Sequence, residues 1–253
     1  MKYWLGSLFH RNAHSPLRRL YFAWLKYFTG VFSKRQAVFF VKINGKRYKK
    51  VALGDSLEAT QVEQALVALP FGRYFPPLIH RHENQLLMGF VEGRGFDASN
   101  EGDRDALAVL LGDLYAQGHR TMPAAPYQAR LEIDIRFLID VGLIEAELGD
   151  ALLARAESVR PVDILVGLDY VDPVEKNFVV RDGQIYAIDV ESLRSNIALG
   201  TGILKAGLHW LKRDQVAGFT ERVEQAAGVD LHQQLEFVEL CFRVGWIKRK
   251  LLQ

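Results

Sequence analysis

Cysteine is almost absent from this chain. Cys241 stands alone, which excludes internal disulfides and a multi-cysteine zinc site and points to a reducing compartment. Its expected place is a buried apolar position in the last helix. Charge of one sign is not in excess either: the net charge is +2, too small to argue for nucleic acid as a partner. No apolar stretch reaches the length of an uncharged membrane-spanning helix. Leu5 to Phe9 is too short and too broken for the apolar region of a secretory signal, so the expected location is the cytoplasm. No G-x-S-x-G surrounds a serine, which leaves a hydrolase elbow without support. His80 and His82 have no carboxylate or cysteine at ligand spacing, so no metal site is expected there. Repeats and low-complexity segments are lacking too. What remains is a soluble globular composition, 49% hydrophobic and 25% charged over 253 residues, enough chain for a sizeable core in one domain or two lobes.

Leu17 to Phe28 has helical periodicity. Leu17, Leu20, Tyr21, Trp24, Leu25 and Phe28 share one face, with Arg18, Arg19 and Lys26 opposite. Ala37 to Ile43 reads as a strand, Asn44-Gly45 as a type I′ turn, and Lys46 to Ala52 as the hairpin partner. Asp55-Ser56-Leu57-Glu58 has capping spacing, which predicts a helix from Ser56 to about Leu69, broken by Phe71 to Pro77. Gln85 to Val91 reads as another strand. After Gly95 the pattern turns mostly helical, with helices expected over Asp103–Gly118, Arg130–Val141, Ala146–Val159 and from Ile203 onward. The expected organisation is an α+β fold in two parts: residues 1–93, a leading helix and a strand-rich portion, and residues 94–253, mainly helical.

Within the second part lies Y-V-D-P-V-E-K-N-F-V-V-R-D-G-Q-I-Y-A-I-D-V-E, from Tyr170 to Glu191. Asp172 and Asn177 stand five positions apart. A short apolar strand, an Arg181-Asp182-Gly183 turn and a second strand then deliver Asp189. Phosphoryl transfer from ATP requires these groups in this order: one carboxylate to orient the attacking hydroxyl, and an amide and a second carboxylate to hold Mg²⁺ against the triphosphate.

The arrangement resembles the protein-kinase-like fold, in particular its small-molecule branch of aminoglycoside phosphotransferases, choline kinases and lipopolysaccharide-core sugar kinases. Y-V-D-P-V-E-K-N-F-V-V looks like the kinase catalytic loop, and I-D-V-E is closer to the I-D-x-E of the small-molecule branch than to D-F-G. The two helices between Arg130 and Val159 match the insertion that such kinases carry before this loop. The resemblance implies a bilobal fold, ATP and Mg²⁺ as cofactors, Asp172 as the catalytic aspartate, and Asn177 and Asp189 as metal ligands. Asp169, which follows L-V-G-L, is the alternative to Asp172. A lysine on the second strand of the hairpin should meet the triphosphate, steadied by a helix glutamate. Alternation puts Tyr48, Lys50 and Ala52 on one face, and Arg47, Lys49 and Val51 on the other. The first set is apolar around its lysine, so Lys50 is expected at the cleft, with Lys49 as the alternative. Glu63, ahead of A-L-V-A-L, is the expected partner, since Glu58 reads as a cap. Gly89, Phe90 and Val91 would form the hinge beside the adenine.

The basic and aromatic faces of Leu17–Phe28, and the similar mixture in the C-terminal W-I-K-R-K-L-L, suit an anionic membrane surface. The expected acceptor is therefore a sugar hydroxyl of the lipopolysaccharide core or another lipid-linked glycan, reached from the inner face of the cytoplasmic membrane. If both helices merely cap the fold, a soluble small-molecule phosphotransferase is the reading. A pseudokinase-like nucleotide-binding or scaffold protein is the third, because Gly30 stands alone where a glycine-rich phosphate loop belongs, and Tyr170-Val171 precede Asp172. No A-P-E-like anchor follows Glu191, which argues against a protein kinase.

Overall fold

The computed structural model describes residues 37–68 and 73–252; the helix expected over Leu17–Phe28 lies outside them. Strands β1 (Ala37–Ile43) and β2 (Lys46–Ala52) form the expected hairpin. Asn44 and Gly45 both take positive φ, 49° and 79°, as a type I′ turn requires and as Asn-Gly tolerates best. Helix α1 (Ser56–Ala68) follows. Asp55 Oδ1 accepts from the Glu58 amide at 2.8 Å and Glu58 Oε2 accepts from the Gly54 amide at 2.9 Å, so orphan donors at the helix start are satisfied from both directions. Strands β3 (Leu78–His82) and β4 (Gln85–Gly89) complete an antiparallel sheet of order β1-β2-β4-β3.

The strand expected to reach Val91 stops at Gly89. There the Gly89 amide bonds the Pro77 carbonyl at 2.8 Å, and a Cβ on Gly89 would meet Pro77 Cγ at 2.7 Å. The chain leaves the sheet at this crowded point, and Phe90–Gly93 become the connection to β5 (Arg94–Gly95). Arg94 grips the buried Asp103 with two bonds, 2.6 and 2.5 Å, tying that connection to helix α2 (Glu101–Tyr115). Asn100 caps α2 by accepting from the Asp103 amide.

The remainder is helical but not wholly so. Strand β6 (Arg120–Pro123), helices α3 (Ala125–Asp140) and α4 (Ala146–Val159), and β7 (Asp163–Tyr170) come next. Then follow β8 (Phe178–Arg181), β9 (Gln184–Ala187), β10 (Leu193–Ala198) and helices α5 (Thr201–His209), α6 (Arg213–Ala227) and α7 (His232–Leu251). A second sheet, β10-β7-β6, and a third, β5-β8-β9, therefore sit among these helices. Their strands are short or, like β7, buried on both faces, and so lack the alternation that marks a half-exposed strand. Asp182 and Gly183, at φ 53° and 77°, close the β8–β9 hairpin with the same turn geometry as the first.

One core runs from the first sheet (Val51, Leu86, Met88) through α2 to Tyr170 and Phe178. A smaller one joins α3, β7 and α7 through Leu131, Ile135, Val166 and Phe237. Among the described residues no helix is long and apolar enough to cross a membrane. The C-terminal helix packs Phe237, Val238 and Val244 into the second core, and Ile247 and Leu251 near its end are exposed.

Candidate active site

The β7–β8 connection places the expected catalytic residues. It leaves β7 at Tyr170, whose ring is fully buried between Phe75 and Phe178, with centroids at 6.4 and 5.2 Å. Val171 bonds the Ser192 carbonyl at 2.9 Å, and Asp172 emerges at the surface, its side chain 40% exposed. A short 3₁₀ turn, Glu175–Asn177, brings the chain back. Asn177 Nδ2 donates to the Asp172 carbonyl at 2.8 Å and approaches Asp172 Oδ2 at 3.4 Å. With the amide nitrogen committed to two oxygens, the amide oxygen is the atom that Asn177 has left for a cation.

The hairpin then does what its spacing suggests. The Ile188 amide bonds the Asn177 carbonyl at 2.8 Å, so Asp189 is carried to the side of Asn177. Ser192 Oγ donates to Asp189 Oδ2 at 2.9 Å and orients that carboxylate. An amide oxygen plus one carboxylate is a hard-oxygen donor set suited to Mg²⁺, which retains waters and takes its remaining ligands from phosphates. The residues present fit the metal that the fold class implies.

Lys49, not Lys50, reaches this place. Its ammonium donates to the Ile188 carbonyl and lies 3.9 Å from Asp189 Oδ1 and 4.0 Å from Glu191 Oε2. The two faces expected for β2 hold, but the one that turns to the cleft carries Lys49 and not Lys50. Alternation within β2 separates its two faces but does not tell which one is turned inward. Lys49 stands opposite Phe40 and Met88, beside the fully buried Val51, whereas Lys50 pairs with Phe39 and Leu87 on the other face. Glu63 is also not the lysine's partner. Arg81 of β3 claims it at 2.6 Å, while also bonding Thr60. Glu191, two residues past Asp189, is the carboxylate that sequence reasoning passed over. It is buried, and burial followed by the neighbouring Asp189 pushes its carboxyl above the usual range. The I-D-V-E run was its only signal.

A cleft of about 500 Å³ opens between the first sheet and this hairpin. Lys49, Phe90, Val91, Asn177 and Asp189 all line it, with Gly89 at its edge. Phe90 meets Phe40 edge-to-face at 5.6 Å. A Cβ on Gly93 would fall 2.5 Å from the Val180 carbonyl, so only glycine lets the connection lie this close to β8. A second cavity, about 670 Å³, lies on the other side of Asp172, among α3, β10, α5 and α7. Asp172 lines the second cavity and Asn177 the first, so the hydrogen-bonded pair separates the two. Lys205 of α5, which nothing in the sequence marked, stands 3.6 Å from Asp172 Oδ1.

Asp169, the alternative carboxylate, lines neither cavity. It is fully buried and accepts from the Gly202 amide at 2.9 Å at the start of α5. A Cβ on Gly202 would sit 2.6 Å from its Oδ1. Burial, against the lowering effect of hydrogen bonds from Gly202 and Tyr115, raises its pKa to about 7. The folded state therefore holds a proton that the unfolded state has lost between about pH 4 and 7. Stability contributed by this group is full below the unfolded pKa and is lost as pH rises through 7. Asp169→Asn is expected to flatten the pH dependence of the melting temperature across this window and to be less destabilised than wild type on going from pH 5 to pH 8. Parallel melting curves for the two proteins would refute the assignment.

No protein-family model and no curated protein matches the sequence. Solved structures do match. The macrolide 2′-phosphotransferase MphH from Brachybacterium faecium superimposes with a TM-score of 0.63 at 14% identity, over 87% of this chain and 84% of that one. A type I macrolide 2′-phosphotransferase gives 0.63 at 11% identity, over 94% and 92%. Choline kinase LicA from Streptococcus pneumoniae gives 0.59 at 14% identity, again over 94% and 92%. The protein thus has the kinase-like α+β fold of the small-molecule phosphotransferases and choline kinases, with an N-terminal antiparallel sheet and a mainly helical remainder.

Proposed function

We propose that this protein is an Mg·ATP-dependent phosphotransferase that moves the γ-phosphoryl group of ATP to a hydroxyl of a small molecule. The observation that carries the reading is the Asp172–Asn177 pair standing between two cavities, one lined by Lys49 and Asp189, the other open to an acceptor. The first cavity suits the nucleotide, with Phe90 and Val91 beside the base and Lys49 at the α- and β-phosphates. Asn177 and Asp189 would hold Mg²⁺, which when bound neutralises charge on the transferred phosphate. Asp172 orients the acceptor hydroxyl. Its oxygen forms the new bond to the γ-phosphorus as the bond to ADP breaks, and the hydroxyl proton passes to the Asp172 carboxylate.

The neighbours' names, macrolide phosphotransferase and choline kinase, support a soluble small-molecule acceptor over a lipid-linked glycan. The membrane reading rests on Leu17–Phe28, which lies outside the described residues, and on the end of a C-terminal helix whose earlier turns pack Phe237, Val238 and Val244 into the second core while Ile247 and Leu251 stay exposed.

A pair of lysine variants tests the cleft. Lys49→Ala is expected to weaken Mg·ATP binding or turnover by about 10²-fold, while Lys50→Ala stays within about threefold of wild type. Calorimetric titration with Mg·ATP, together with coupled ADP release, measures both. Equal small effects would remove the cleft from the nucleotide site, and wild-type protein that binds no Mg·ATP would remove the reading altogether.

A further inference from the structure

We propose that the second cavity selects an anionic acceptor: a polyhydroxylated small molecule that offers one hydroxyl to Asp172 and carries a phosphate or carboxylate held by Arg249 and Lys250. This rests on the phosphotransferase reading and specifies its acceptor.

The cavity is strongly biased in charge. Five cationic side chains line it, Arg130, Arg194, Lys205, Arg249 and Lys250, against two carboxylates, Asp134 and Asp172. Both carboxylates are already engaged. Asp134 is held by Lys248 at 2.7 Å and by Arg130 at 3.2 Å, and Asp172 by Lys205 at 3.6 Å. Arg194 is paired with Glu58 at 3.2 Å. Arg249 and Lys250 are left over: among the described residues, neither has a carboxylate within ion-pair distance.

Trp246 organises the cations. Lys205 and Lys250 approach its ring, with Nζ 5.7 and 5.8 Å from the centroid, an arrangement favoured by the negative face of the indole. His209, nearby on α5, feels the same field. Burial first, then Lys205, Lys250 and Lys176 keep its pKa below the usual histidine value, with only Asp172 opposing. A cationic acceptor would have to enter this field. An anionic one would neutralise it, through charge-assisted bonds that are the stronger kind. About 670 Å³ is room for a small acceptor, and the cavity leads from the unpaired cations to Asp172.

The test compares glucose 6-phosphate, glucose and glucosamine as calorimetric probes of the full-length protein, with inorganic phosphate as a probe free of shape requirements. At low salt, glucose 6-phosphate is expected to bind at least tenfold more tightly than glucose, and glucosamine most weakly. Arg249→Gln with Lys250→Gln should bring glucose 6-phosphate to the level of glucose and weaken inorganic phosphate about tenfold. Mg·ATP affinity, set in the other cavity, should stay unchanged. Both changes lie in the last turn of α7, and raising salt on the wild type should produce the same loss without any mutation. Phosphatidylcholine vesicles with and without phosphatidic acid distinguish the source of the phosphate. Binding to phosphatidic acid that requires Arg249 and Lys250 places it on a lipid headgroup; binding of the soluble probes alone places it on a free metabolite. Phosphate-bearing probes that bind no better than glucose in every form, or a preference that survives the double change, would overturn the proposal. Mg·ATP titration reports separately on the phosphotransferase reading, so failure of one is not mistaken for failure of the other.

Discussion

Asp189→Asn is expected to abolish Mg²⁺-dependent turnover, lowering kcat/KM by about 10³-fold or more, while leaving the protein folded. The carboxylate makes few structural commitments. It accepts one bond from Ser192 Oγ at 2.9 Å and lies 3.9 Å from Lys49, and an asparagine oxygen can still accept from the serine. What disappears is the one full negative charge in the Asn177–Asp189 donor pair. Two neutral amides do not hold Mg²⁺ against water, because the ion gives up its hydration reluctantly. Lys49 remains beside Glu191 at 4.0 Å, so the ammonium is not stranded in the variant. The measurement is ATP affinity and turnover as a function of Mg²⁺ concentration, with a melting curve as the control for folding. A folded variant that keeps the wild-type Mg²⁺ dependence would sink the metal assignment.

Local chemistry made much of this molecule legible in its sequence. Asn44-Gly45 and Asp182-Gly183 announced their hairpins because few other pairs tolerate two positive φ values in succession. Asp55 and Glu58 announced α1 because their oxygens sit at the right spacing for amides that the helix cannot pair itself. The stretch from Tyr170 to Glu191 was readable because its parts are joined by a hairpin, so that positions along the chain translate directly into positions in space. Where the outcome depended on partners from distant segments, the sequence misled. Lys50 looked right within β2, but Val51, Leu86 and Met88 turn the other face inward. A comparison of Val51 with Ala52, the more apolar residue marking the buried face, would have favoured Lys49. Glu63, the expected partner of the cleft lysine, is held by Arg81, from Leu78–His82, a strand that no pattern in the sequence marks. Lys205, Arg249 and Lys250 converge on one cavity from two helices some forty residues apart, and no periodicity within either helix carries that information.

Asp172→Asn should separate chemistry from nucleotide binding. Turnover is expected to fall by about 10²- to 10⁴-fold, the range for loss of a positioned general base, with Mg·ATP affinity nearly unchanged. The reason lies in which atoms Asn177 uses. Its amide nitrogen is fixed chiefly by the Asp172 backbone carbonyl at 2.8 Å, and only weakly by the side-chain oxygen at 3.4 Å. Replacing the carboxylate therefore leaves Asn177 oriented and the metal side intact. It takes away the group that meets the acceptor hydroxyl, and it frees Lys205, now 3.6 Å from a neutral amide. The pattern is the opposite of that for Asp189→Asn, which should lose metal-dependent binding along with turnover. It also differs from Asp169→Asn, whose effect should appear in the pH dependence of stability and not in kcat. Single-turnover phosphoryl transfer and Mg·ATP titration on the three variants distinguish the roles. If Asp172→Asn keeps wild-type turnover while Asp169→Asn loses it, the catalytic carboxylate is the buried one, and the two cavities are not joined through Asp172.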